Sequence, residues 1–175
     1  IDLGHSYTRL ESIGTMGFGP ELKITGKGGI VSGVIDNAGG LLRINENDDE
    51  VSTSATLKNL VISADSNLLA AGGVIDKGVT IEGILTIPSN VTVKAIADVT
   101  VNGSILLKYT ECCYRYSTLQ VNDSVISGSG TIQLNDATAV VEPITNGTLT
   151  LDSTLTLTGQ GSLGGAGSVV NFGTI

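Results

Sequence analysis

The 175-residue chain has no Trp, two Phe, four Tyr, one Met, one His, two Cys and three Pro. A lone histidine, His5, cannot build a metal cluster and argues against a Ser-His-Asp triad; it reads as an N-terminal surface residue. Two adjacent cysteines match neither zinc-ligand spacing nor a disulfide framework. No stretch approaches the ~18 consecutive apolar residues that a spanning helix requires. Nine basic residues against 17 acidic ones leave a net charge of −8. The basic residues are scattered, so the chain repels nucleic acid and anionic lipid. With 41% hydrophobic and only 15% charged residues, it is too apolar to stay disordered. No charged-then-apolar leader or cleavage-like site opens the sequence, so a targeting segment is expected to be absent or already removed. The apolar pattern at Ile1 and Ile175 also fits a processed chain or part of something longer.

What is abundant is aliphatic and small. Leu, Ile and Val supply 52 residues, Thr 20, Ser 16 and Gly 24. The dominant signal is alternation with period 2. Leu85-Thr-Ile87, Val91-Thr-Val93, Val99-Thr-Val101, Leu149-Thr-Leu151 and Leu155-Thr-Leu157 put apolar residues on one face and Thr on the other. β-Branched residues suit a pleated, half-buried surface. The alternation predicts parallel strands with Val91, Val93, Val99, Val101, Leu149, Leu151, Leu155 and Leu157 facing inward. Pro88-Ser-Asn90, Asn102-Gly103, Asp123-Ser124, Asn146-Gly147 and Asp152-Ser153 are turn signals. No convincing amphipathic helix is present; Arg9–Ile13 is too short.

A loose unit recurs: apolar–x–apolar, then Gly or Asn-Gly, then Ser or Thr, then Ile or Leu. It stands at Ile24–Ile30, Val99–Ile105, Val125–Ile132, Ile144–Leu149, Leu157–Leu163 and Val170–Ile175. Glycines 83, 103, 130, 147, 161 and 173 lie 20, 27, 17, 14 and 12 apart. The larger gaps suit one coil per repeat, and the smaller ones imply that the unit marks more than one corner of each coil. A sandwich or barrel would need hairpin turns between every strand pair and commonly uses aromatic residues in its core. A stack of aliphatic coils needs neither. With coils of ~22 residues spaced ~4.8 Å apart, the chain would make roughly eight coils and a rod of about 40 Å.

Leu57-Lys-Asn-Leu-Val-Ile-Ser63 and Gly72-Gly-Val-Ile75 resemble repeats of polymorphic outer-membrane and autotransporter adhesins. Leu85-Thr-Ile-Pro-Ser-Asn-Val-Thr-Val93 resembles pectate-lyase-like coils, and Gly161–Ile175 resembles autotransporter passenger repeats. The resemblance covers about residues 22–107 and 118–175. It implies an all-β, right-handed parallel β-helix, a single β-solenoid domain over 1–175 with irregular coils of roughly 20–27 residues. Residues 1–21 would form an N-terminal edge or cap, and 108–117 a projecting insertion. The fold carries adhesins, sheath and spike proteins and polysaccharide enzymes alike, so it does not choose among them.

Glu46-Asn-Asp48-Asp49-Glu50 is a candidate Ca²⁺ loop because hard cations take oxygen ligands. A single local run also self-repels, which favours a solvated loop. Polysaccharide cleavage needs paired carboxylates across a groove or a metal site beside a basic proton acceptor. Arg9, Arg43 and Arg115 sit in no such motif, so no enzyme activity, catalytic residue or cofactor is expected. The Thr run 148, 150, 154, 156 and 158 lacks the coil-by-coil regularity of an ice-binding face and reads as the outside of ordinary strands. Sequons stand at Asn90, Asn102, Asn122 and Asn146 as candidate glycosylation sites.

The most unusual segment is Lys108-Tyr-Thr-Glu-Cys-Cys-Tyr-Arg-Tyr-Ser117, with both cysteines and three of the four tyrosines. A ring between neighbouring cysteines is strained, so each sulfur seeks a partner on another subunit; the alternative is a projecting loop with reduced thiols. Tyr and Arg are enriched at interfaces. Tyr109, Cys112, Cys113, Tyr114, Arg115 and Tyr116 are therefore the expected subunit contact. These observations lead to a non-enzymatic, extracellular or cell-surface β-solenoid, structural or adhesive, of an envelope, sheath or fibre. It is expected to form homo-oligomers or a homopolymer, with host-surface or glycan contact and no membrane span. The alternative is a carbohydrate-active β-helix enzyme or spike module, marked by a groove of coil-spaced carboxylates.

Overall fold

The computed structural model describes residues 56–108 and 116–175 in full, and N-terminal to them the strands at 2–5, 9–11, 21–27, 30–35 and 41–44. All regular structure among the described residues is β. The first six strands are β1 (Asp2–His5), β2 (Arg9–Glu11), β3 (Glu21–Lys27), β4 (Ile30–Ile35), β5 (Leu41–Ile44) and β6 (Thr56–Ile62). Five turns of three strands follow. They are β7 (Asn67–Ala70), β8 (Gly73–Ile75), β9 (Val79–Ile81); β10 (Ile84–Pro88), β11 (Val91–Ala95), β12 (Val99–Val101); and β13 (Ser104–Lys108), β14 (Ser117–Val121), β15 (Ser124–Ser127). The last two are β16 (Thr131–Leu134), β17 (Ala139–Pro143), β18 (Thr148–Leu151) and β19 (Thr156–Gly159), β20 (Ser162–Leu163), β21 (Ser168–Asn171).

Every pairing is between parallel strands of successive turns, as in a β-solenoid. The first face is an eight-stranded sheet in the order β1-β3-β5-β7-β10-β13-β16-β19; the described residues make about five complete turns, against the roughly eight coils expected from chain length. The second and third faces join through β6. Its Leu57 pairs with Ile75 on the second face, and its Ile62 pairs with Ile81 on the third. Asn59, at φ 48°, makes the bend between the two halves. Asparagine tolerates this left-handed backbone better than most side chains.

Strand registers measure the coils directly. Asn67, Ile84, Ser104, Thr131 and Thr156 succeed one another along the first face, with separations of 17, 20, 27 and 25 residues. The 17-residue coil is shorter than the 20–27 expected, because its strands have only three or four residues and its corners two or three. The 20-residue coil has corners of the same lengths and adds its three residues to the strands, whereas the 27- and 25-residue coils put most of their extra residues into corners.

Alternation turns one row per strand position into the interior. Leu68, Leu85, Ile105, Ile132 and Leu157 stack in register on the first face. Val93, Leu119 and Val141 do so on the second, and Val79 and Val99 on the third. These residues are buried in one continuous aliphatic core. Each buried Leu, Ile or Val side chain contributes about 1.5–3 kcal/mol by leaving water. Of the eight residues expected inside, seven are buried, and Val91 is half-buried against the core. Val91 opens its strand beside a corner and meets only Ser117 in the next coil, so less apolar surface covers it.

One interior position is anomalous. Ser117 lies between Val91 and Ala139 in an inward row, is 1% exposed, and its Oγ has no hydrogen-bond partner. A buried unsatisfied hydroxyl is destabilising. Ser117→Ala is expected to raise unfolding free energy by about 1 kcal/mol, read as a higher urea midpoint at unchanged m-value. A lower midpoint would show that the hydroxyl is satisfied.

Candidate functional site

The corners carry most of the polar chemistry. Strands β7–β21 hold only three charged residues, Lys94, Lys108 and Glu142. The other described acids from residue 65 onward lie between strands, and several of them link neighbouring coils. The Asp98 carboxylate accepts the backbone N–H of Val125 at 2.8 Å, and that of Asp123 accepts the N–H of Thr148 at 2.9 Å. Asn102 Nδ2 donates to Glu82 Oε1 at 2.9 Å, and Gln120 Nε2 donates to Glu142 Oε1 at 2.8 Å. Lys58 Nζ lies 2.9 Å from Asp76 Oδ2. Together these join each coil from β6 to β18 to the next. A parallel stack leaves backbone groups to be satisfied wherever a corner interrupts the ladder, and short acidic side chains supply the acceptors.

These carboxylates were absent from the expected site residues. A faint signal was available, since Asp98 and Asp123 lie one coil length apart. The irregular period conceals it, because the donor can be assigned only once the register is known.

Two carboxyls are held below their ordinary range. For Asp76 the principal cause is the hydrogen bond from Lys58, followed by the Lys77 amide. For Asp136 it is the hydroxyl and then the amide of Thr138. A depressed folded-state pKa adds stability above the unfolded-state value of about 3.9, and that stability is lost as pH falls through the folded value. The Lys58–Asp76 pair is partly exposed, so it contributes about 0.2–1 kcal/mol. Lys58→Met is therefore expected to lower stability slightly near pH 7. The difference from the parent should vanish on acidification below the folded-state pKa of Asp76. A difference that persists in strong acid would assign the loss to packing of the lysine stem.

Among the described residues, no group of three or more His, Cys, Asp or Glu side chains could hold a metal ion. The acidic run Glu46, Asp48, Asp49 and Glu50 lies outside the described residues, as do Tyr109, Cys112, Cys113, Tyr114 and Arg115. The strand backbone of His5 pairs with Lys27; its side chain is also outside them. Tyr116 is described and is 62% exposed. The chain leaves the first face after Ile44 and enters the second at Thr56, and leaves the first face again after Lys108 and enters the second at Ser117. Both departures occur at the corner between the first and second faces. The intervening strands β7 and β10 carry only two-residue corners there. The described strands that flank the two departures, β5 and β6 and then β13 and β14, thus meet at one side of the solenoid.

The sequons also sit at corners. Asn90, Asn102 and Asn146 are exposed and Asn122 is half-buried. The amide of Asn102 is engaged with Glu82. The local Thr run divides between faces: Thr148 and Thr150 lie on β18, Thr156 and Thr158 on β19, and Thr154 in the corner between, where its hydroxyl donates to the Gly128 carbonyl at 2.9 Å. No helix among the described residues is long and apolar enough to cross a membrane. No protein-family model, curated protein or solved structure matches this chain.

Proposed function

We propose that this protein is a non-enzymatic structural or adhesive β-solenoid of a cell envelope, sheath or surface fibre that works outside the cell and self-associates. The observation that carries this reading is the use made of its charges. From β7 onward the described acids mostly bond between coils or cap their own corners, and the strands carry only Lys94, Lys108 and Glu142, whereas β1–β6 carry eight charged residues. Such a distribution suits a stiff rod with faces open to lateral contact better than an acid–base site, where two carboxylates must confront a substrate. Continuous pairing from coil to coil also suits a load-bearing, protease-resistant element. The likeness to autotransporter and polymorphic outer-membrane adhesin repeats, with its right-handed coil, belongs to the same proposal.

Self-association is assigned to residues 108–117, with Tyr109, Tyr114, Arg115 and Tyr116 as contact area and Cys112 and Cys113 forming intersubunit disulfides in an oxidising compartment. Because the anchors Lys108 and Tyr116 stand on a side of the coil, this contact joins rods side by side. Non-reducing electrophoresis and electron microscopy of native material test the proposal. Covalent multimers that collapse on reduction, and in Cys112→Ser/Cys113→Ser, are expected, together with filaments or sheets. A protein that stays monomeric under oxidising conditions and shows only isolated rods would overturn it.

A further inference from the structure

We draw no further inference here: the strongest candidate, the outer edge of the last turn, where β19–β21 carry half-buried Leu163 and Val169 beside exposed Phe172 and Ile175, is an unpartnered apolar surface and nothing in the structure shows what covers it.

Discussion

Gly103→Ala is expected to destabilise the solenoid by about 3 kcal/mol, at the upper end of overpacking effects. Gly103 stands in a corner column with Gly83 and Gly130. Its N–H bonds to the Ile81 carbonyl at 2.8 Å, and the Gly83 carbonyl accepts the N–H of Ser104 at 2.8 Å. A methyl group at position 103 would collide with the carbonyl oxygens of Gly83 and Glu82 in the coil below. Both are backbone atoms held by the ladder, so no side-chain rotation relieves the clash. The coils would have to separate at that corner, breaking the bonds that define it. In a chain of this size each kcal/mol moves the thermal midpoint by about 2–4 °C, so the predicted fall is about 6–12 °C. Ser104→Ala, one residue away on an outward position, is the control and should stay within about 0.5 kcal/mol. Equal midpoints for Gly103→Ala and the parent would mean that the corner is looser than its hydrogen bonds imply.

Ile105→Ala should cost about 2–5 kcal/mol. Ile105 is 1% exposed and sits mid-row between Leu85 and Ile132. Coil spacing is set by the backbone ladder at ~4.8 Å, so neighbouring rows cannot collapse into the space left by the missing atoms. The cavity term therefore adds to the lost transfer free energy. Ile84→Ala, an outward residue of the preceding coil that is 38% exposed, provides the comparison and should cost far less. In a solenoid each coil contacts mainly its neighbours. Hydrogen exchange should consequently speed up most in β10, β13 and β16, with smaller changes toward β21. Uniform loss of protection would point to a single cooperative unit, and a change within 0.5 kcal/mol would contradict the inward assignment of Ile105.

The functional consequences differ in kind. Neither substitution touches residues 109–115, so any assembly through that segment should survive in whatever fraction stays folded. The double cysteine substitution should do the reverse, removing covalent multimers while leaving the urea midpoint near that of the parent.

Period-2 alternation made the inward rows legible residue by residue, because side-chain direction along a strand is a local property of the backbone. Val93, Val99, Val101, Leu149 and Leu151 could be placed without knowing their neighbours. The glycine spacings also held real information: the steps from 83 to 103 and from 103 to 130 are the coil lengths of 20 and 27 seen in the strand register. The shorter steps mark other corners, where Gly147 underlies Gly167 and Ala139 underlies Gly161. The 17-residue coil could not be read in advance, since a solenoid tolerates shorter strands as long as each returns to register with its neighbour.

By itself, the sequence determined that the chain is all-β, that its core is aliphatic, and which side of each well-alternating strand faces inward. It also marked 108–117 as foreign to the coil pattern, since that segment alone breaks the alternation with Cys and Tyr. Tertiary structure alone decided which coil each strand pairs with, which acids accept bonds from a neighbouring coil, and that the departures after Ile44 and Lys108 share one corner. The reason is physical. Alternation and turn chemistry act over two to four residues, whereas these relations join residues 17 to 27 positions apart, or three coils apart. They are set by how many residues each strand and corner absorbs before the next strand can pair.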